Sequence, residues 1–259
     1  MRHVARKRFG QHFLEAPEVV RAIVDAMALR PDDSVVEIGP GLGALTATLL
    51  ERLRHLHAVE IDRDLCARLR QRFASERLAL HEGDALEFDF ASLPAPLRVV
   101  GNLPYNISTP LLFHLMGAAE RCADLHLMLQ KEVVDRLAAE PGSKDYGRLT
   151  VMLQYRYGLE RLLEVPASAF RPRPEVDSAV VRLVPRPRGE LAAVDANAFS
   201  RVVKTAFSTR RKIVKNSLSS LVSARQLEAL GIDPTSRAED LPVSDFVAIA
   251  NGMHEAGPR

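Results

Sequence analysis

Val35-Val36-Glu37-Ile38-Gly39-Pro40-Gly41-Leu42-Gly43-Ala44-Leu45-Thr46 is the stretch on which the reading of this chain turns. An apolar, strand-like run enters a glycine-rich turn and leaves it as a helical pattern through Leu50. Glycines let a ligand approach the backbone closely, and the first turn of a helix offers unpaired N–H groups. The spacing Gly39-x-Gly41-x-x-Ala44 also satisfies the relaxed dinucleotide fingerprint. Taken alone it fits a nicotinamide dinucleotide as well as a nucleoside cofactor.

The surrounding chain repeats this strand–helix unit. Strand-like segments at 35–38, 57–61, 78–81, 99–101 and 125–129 alternate with helical patterns at 17–29, 44–53, 64–73, 109–119 and 131–139. Such alternation predicts an α/β fold, a doubly wound Rossmann-like sheet. Two later runs, 159–165 and 178–184, are expected to close the sheet with an antiparallel strand. Pro185-Arg186-Pro187-Arg188-Gly189 then interrupts the pattern. The boundary is placed there, giving a domain over 1–187 and a small all-α C-terminal domain over 188–259.

In a parallel sheet the strand ends share one edge, where ligands bind. Three acceptors fall at those ends. Glu60 can take both hydroxyls of a ribose, and Asp84 can take the amine of an adenine. The third is Asn102-Leu103-Pro104-Tyr105, at the exit of the strand that contains Val99 and Val100. Proline stops the strand and removes a donor. The exit then presents a carboxamide, a bare carbonyl and an aromatic face, the groups that hold a planar base carrying an exocyclic amine. A dinucleotide-dependent oxidoreductase accounts for Glu60 but gives no role to Asp84 or to 102–105. A non-catalytic RNA-binding protein on the same fold would not need Asn102.

Together, Glu37-x-Gly39-x-Gly41-x-Gly43, Glu60, Asp84 and Asn102-Leu103-Pro104-Tyr105 resemble an S-adenosylmethionine-dependent adenine N6-methyltransferase. Further stretches at 7–14, 144–149, 170–178 and 206–218 are similar to the small-subunit ribosomal RNA adenine dimethyltransferases of the KsgA (RsmA) type, in family order along nearly the whole chain. The resemblance implies N6,N6-dimethylation of two adjacent adenosines in 16S rRNA, within the pre-30S subunit late in its assembly. The enzyme is expected to be a cytoplasmic monomer with S-adenosyl-L-methionine as cofactor. The resemblance places His12 and Leu14 with Gly39, Gly41, Glu60, Asp84 and Asn102 at the cofactor. Many relatives carry Asn at the position of His12.

Composition is consistent with this. The 259 residues, 47% hydrophobic, can bury a sizeable core, and two cysteines make no disulfide framework or metal cluster. No apolar run approaches membrane-spanning length. The net charge of +2 is small, but residues 200–227 hold seven cations and no acid, the pattern of a phosphate-binding face. Within it Arg210, Arg211, Lys212 and Lys215 are the candidate RNA contacts.

The chemistry needs no metal. The lone pair of an adenine amine is delocalised into the ring. Two acceptors on its hydrogens, the Asn102 side chain and the Pro104 carbonyl, would localise that pair and stabilise the growing positive charge. The base must leave its stack to be reached. Tyr105 is expected on one face of it. Phe170, ahead of the stiff Arg171-Pro172-Arg173-Pro174 segment, is either a core residue or the opposite wall of a stacking clamp, and the clamp is the role expected here.

Overall fold

The structure is a computed structural model that describes residue 6, residues 10–209 and residues 211–255. The chain divides into two compact units. One takes the residues up to Val134 together with Gly158–Pro185, and the other takes Asp135–Tyr157 with the residues from Arg186 onward.

The first unit is built on a seven-stranded sheet. Its strands are β2 (Ser34–Ile38), β3 (Leu56–Glu60), β4 (Leu78–Glu82), β5 (Leu97–Asn102), β6 (Cys122–Gln130), β7 (Tyr157–Val165) and β9 (Ser178–Pro185), in the order β4-β3-β2-β5-β6-β9-β7. The five strands from β4 to β6 are parallel, with Val36 opposite His57 on one side of β2 and Val99 on the other. β9 runs antiparallel to β6, pairing Ser178 with Gln130 and Leu183 with Leu125. The expected antiparallel closing strand is therefore present, and β7 forms the edge beyond it. The strand order turns back between β2 and β5, so the crevice of the fold opens above those two strands.

The side chains explain the elements. Val35, Val36, Glu37 and Ile38 are all buried in succession, as in a central parallel strand covered on both faces. Helix α1 (Pro17–Ala26) starts with proline in its first turn, where no N–H is missed, and buries Val19, Val20, Ile23 and Val24. Helix α2 (Ala44–Arg52) buries Leu45 and Leu49 in the same core, and α3 (Arg63–Arg72) is capped by Asp62, whose carboxylate accepts from the Asp64 N–H. Helices α4 (Ser108–Gly117) and α5 (Lys131–Leu137) follow β5 and β6. A feature absent from the expectation is a separate two-stranded ribbon. In it β1 (Phe13–Leu14) pairs antiparallel with β8 (Phe170–Arg171), Phe13 opposite Arg171 and Leu14 opposite Phe170.

The second unit corrects the expected boundary. The chain does cross between units at Pro185, but residues 135–157 belong with the C-terminal part. They include α6 (Arg148–Arg156), which buries Leu149, Thr150, Val151, Met152 and Leu153 in a row and so carries no one-sided apolar stripe. It packs with α7 (Ala196–Ala206) and α10 (Val243–Glu255), and the rings of Tyr155 and Phe199 lie 4.2 Å apart. The short helices α8 (Val214–Ser217) and α9 (Ala224–Ala229) complete the unit. Among the described residues no helix is long and apolar enough to cross a membrane.

Candidate functional site

A cavity of about 320 Å³ opens at the carboxyl ends of β2, β3, β4 and β5. Its floor is the glycine turn. Gly39 and Gly41 both have left-handed backbone, at φ +67° and +59°, which other residues rarely adopt. A Cβ on Gly41 would stand 3.1 Å from the Phe13 ring, so side-chain bulk here would close the space between turn and ribbon.

The acidic groups converge on this floor. Glu60, buried at the end of β3, accepts from the Gly41 N–H at 3.1 Å and from the Asp62 N–H at 2.9 Å. Burial lifts its carboxyl above the usual range, and those backbone donors pull it back. Two bonds leave part of its acceptor capacity unused. Asp84 lines the same cavity and accepts from the Leu86 N–H at 2.9 Å. Ile61 and Ala85 supply apolar wall between the two acids. Glu37, buried at the end of β2, is pushed up to about 8 by burial, although the Thr46 hydroxyl donates to it at 2.6 Å.

Asn102, Leu103, Pro104 and Tyr105 form the opposite wall. The Asn102 Nδ2 donates to the His12 carbonyl at 2.8 Å. Because a carbonyl only accepts, this bond fixes the carboxamide orientation and leaves Oδ1 as the acceptor end. The Pro104 carbonyl already accepts from the Ile107 N–H at 3.1 Å and the Ser108 hydroxyl at 3.0 Å, which corrects its expected role as the second acceptor. The first turn leading into α4 consumes it. The neighbouring Leu103 carbonyl receives none of the described hydrogen bonds, while the Leu103 N–H donates to Met128 and its side chain is buried. Tyr105 is half-buried, and its hydroxyl sits 2.7 Å from the Ser178 Oγ, which anchors the ring.

A strap formed by the start of the described chain borders the cavity. Gln11 Nε2 donates to the buried Asp62 at 3.0 Å, and Arg6 bonds both Asp62 and Asp64. Leu14 and His12 line the cavity. Gln11 and Asp62 were not singled out from the sequence; the helix-capping position of Asp62, two residues after Glu60, was the available signal. Phe170 is a correction. Pairing of β8 with β1 sets Phe170 opposite Leu14, and its side chain is fully buried in the core that also includes Val165 and Val180, outside the cavity lining that holds Tyr105.

In the second unit Arg211, Lys212 and Lys215 are exposed, and Arg210 lies outside the described residues. Arg211 lines a separate cavity of about 340 Å³ with Ser143, Lys144, Arg237 and Glu239. The turn at Gly142 is fixed there by its N–H donating to the Glu239 carbonyl at 2.7 Å, and Ile213 bridges Arg237. No group of three or more histidines, cysteines or carboxylates suited to a metal occurs among the described residues.

This donor set suits a ligand with a planar base, a diol and a cationic tail: carboxylates at two strand ends, apolar walls between them, and a turn the ligand backbone can approach. Comparison with known proteins agrees. A family profile described as Ribosomal RNA adenine dimethylase matches residues 2–255. The chain is 59% identical to Ribosomal RNA small subunit methyltransferase A of Aromatoleum aromaticum, over 99% of this chain and 97% of the relative. It is 56% identical to the protein of the same name in Chromobacterium violaceum, over 100% and 99%. Among solved structures, a dimethyladenosine transferase from Plasmodium falciparum superposes with a TM-score of 0.81 at 26% identity, covering 92% of this chain and 96% of that one. The 23S rRNA methyltransferase ErmE superposes at 0.71 and 26% identity, covering 93% and 99%.

Proposed function

The chain belongs to the ribosomal RNA adenine dimethylase family, and from that premise we propose that it transfers methyl groups from S-adenosylmethionine to the N6 amine of adenosines in small-subunit ribosomal RNA. Two transfers to each of two adjacent adenosines of 16S rRNA, in a late pre-30S particle in the cytoplasm, complete the reading, with the enzyme acting as a monomer. The observation that carries it is the wall from Asn102 to Tyr105, which faces Glu60 and Asp84 across one cavity.

S-Adenosylmethionine supplies an electrophilic methyl group on a sulfonium. Gly39 and Gly41 let it lie against the backbone, the remaining lone pairs of Glu60 accept its ribose hydroxyls, and Asp84 accepts its adenine amine. Leu14 packs against it from the strap. On the other side, the Asn102 Oδ1 and the Leu103 carbonyl accept the two hydrogens of the target amine. They draw its lone pair out of the ring plane and stabilise the charge that develops there. Tyr105, held by Ser178, provides the stacking surface for the flipped base. Most of the rate then comes from positioning, with no residue acting as a base on the attacking nitrogen. The exposed cations Arg211, Lys212 and Lys215, with Arg210 beside them in the sequence, neutralise rRNA phosphates.

The test is direct. Small subunits from cells lacking this activity are incubated with the enzyme and labelled S-adenosylmethionine, and their nucleosides are resolved by mass spectrometry. N6,N6-dimethyladenosine is expected at two adjacent positions; only monomethyladenosine, or no incorporation, refutes the proposal.

A further inference from the structure

One carboxylate joins the strap to the end of β3. The Asp62 side chain is fully buried and serves two parts of the chain. In its own segment it caps α3, accepting from the Asp64 N–H at 3.0 Å. From the strap it accepts from Gln11 Nε2 at 3.0 Å and from Arg6 Nη1 at 3.1 Å. A helix cap needs only the first of these bonds. Arg6 extends the grip by a bond to Asp64, and its backbone N–H donates to the Gln11 Oε1 at 2.7 Å. The Gln11 carboxamide is thereby fixed at both ends, its oxygen on Arg6 and its amide on Asp62.

This node sits against the cavity without entering it. Gly10 to Leu14 line the cavity and Asp62 does not, although its own N–H donates to the Glu60 carboxylate at 2.9 Å. Burial lifts the Glu60 carboxyl, and the neighbouring charge of Asp62 adds to the lift. Two carboxylates at one strand end repel, and the partly buried Arg6 guanidinium opposes that repulsion. A charge-assisted bond to a carboxylate held out of water is stronger than an exposed ion pair. Downstream of Gln11 the strap is held by Asn102, Pro172 and β8. Upstream, the bonds of Arg6 and Gln11 converge on Asp62.

We propose that Asp62 is a positioning residue for the methyl donor: its side chain moors the strap through Gln11 and Arg6 and so sets how long S-adenosylmethionine stays bound. The inference rests on the reading of this cavity as the S-adenosylmethionine site. A ligand lying between the glycine turn and the strap is retained in proportion to how firmly the strap is held. The same residue orients Glu60 with its backbone and holds the strap with its side chain, so the floor and the cover of the site share one support.

Dissociation of labelled S-adenosylmethionine from the full chain, chased with excess unlabelled cofactor, tests this in wild type, Gln11→Ala, Asp62→Asn and the double variant. Asn keeps an oxygen for the Asp64 N–H, so Asp62→Asn retains the α3 cap and loses the charge that Arg6 and Gln11 use. Each single change should speed dissociation about 10- to 30-fold, the lower end of the range for a hydrogen bond to a charged group. The double variant should stay within about twofold of the faster single, because both changes cut the same tie. Arg6→Ala, which also spares the cap, should dissociate faster than wild type and keeps the test open if Asp62→Asn does not fold. Wild-type dissociation in Gln11→Ala would mean that Asp62 only caps α3, and overturns the mooring. Effects that multiply in the double variant overturn it too, since Gln11 would then act through its own contact with the cofactor. If the wild type itself binds no S-adenosylmethionine, the cofactor reading fails and the mooring falls with it.

Discussion

Replacing Glu37 by Gln should make the protein more stable at pH 8 while leaving it nearly unchanged near pH 4. The carboxyl is fully buried at the end of β2, and burial, reinforced by the charge of Glu60, raises it from 4.5 to about 8 against the opposing bond from Thr46. Between those values the folded chain holds a proton that the unfolded chain has released. Stability therefore falls as pH rises through the window, by about 1.4 kcal/mol per pH unit. Over the whole window this amounts to something on the order of 3–5 kcal/mol. Gln keeps an oxygen to accept from the Thr46 hydroxyl and cannot ionise. Urea denaturation of both proteins from pH 4 to pH 9 gives the difference in unfolding free energy. That difference should be flat below 4.5, climb in favour of Glu37→Gln through neutrality and level off above 8. A difference independent of pH would refute the assignment of a protonated Glu37, and destabilisation of Glu37→Gln at pH 8 would mean that the native site needs the charge.

Glu60→Ala should weaken S-adenosylmethionine binding about 10- to 100-fold by calorimetry, since hydrogen bonds to a charged group contribute roughly 1.5–3 kcal/mol each. Asp84→Ala should have a smaller effect. Asn102→Ala should slow both methyl transfers about 10²–10³-fold in single-turnover assays, comparable to the loss of one preorganised group at a developing charge. Phe170→Ala should cost about 3–5 kcal/mol in denaturation experiments, as a core phenylalanine does, with a dimethyl-to-monomethyl product ratio like that of the wild type. Neutralising Arg211, Lys212 and Lys215 should flatten the dependence of rRNA binding on salt by about 0.7–0.9 in logarithmic slope per lost phosphate contact, measured by filter binding.

The edge of the sheet was legible in the sequence because parallel strands deliver their ends to one place. Once β2, β3, β4 and β5 are recognised by their apolar runs, Gly39, Glu60, Asp84 and Asn102 must lie near one another. Nothing comparable announces the ribbon of β1 and β8. Two residues per strand are too few to show a period, so the pairing that buries Phe170 could not be read, and resemblance alone put His12 and Leu14 at the cavity. Backbone acceptors are equally silent: no residue type reveals that the Pro104 carbonyl is spent on Ile107 and Ser108. Helix α6 escaped for another reason: it is buried on several sides, with Thr150 and Arg156 among its buried residues, so no single apolar stripe marks it.

The interleaving of the two units has a consequence for how the chain can be made and cut. Residues 135–157 are synthesised before β7 and β9 complete the sheet, yet α7 and α10, which cover α6, come last. During translation Leu149, Val151, Met152 and Leu153 emerge before α7 and α10, the helices that pack on α6. A fragment ending at Pro185 would lack α7 and α10 and leave these four apolar side chains without that packing, inviting self-association. Isolating the sheet unit therefore requires removing the segment between α5 and β7 as well as the C-terminal part, an edit that no single truncation reproduces.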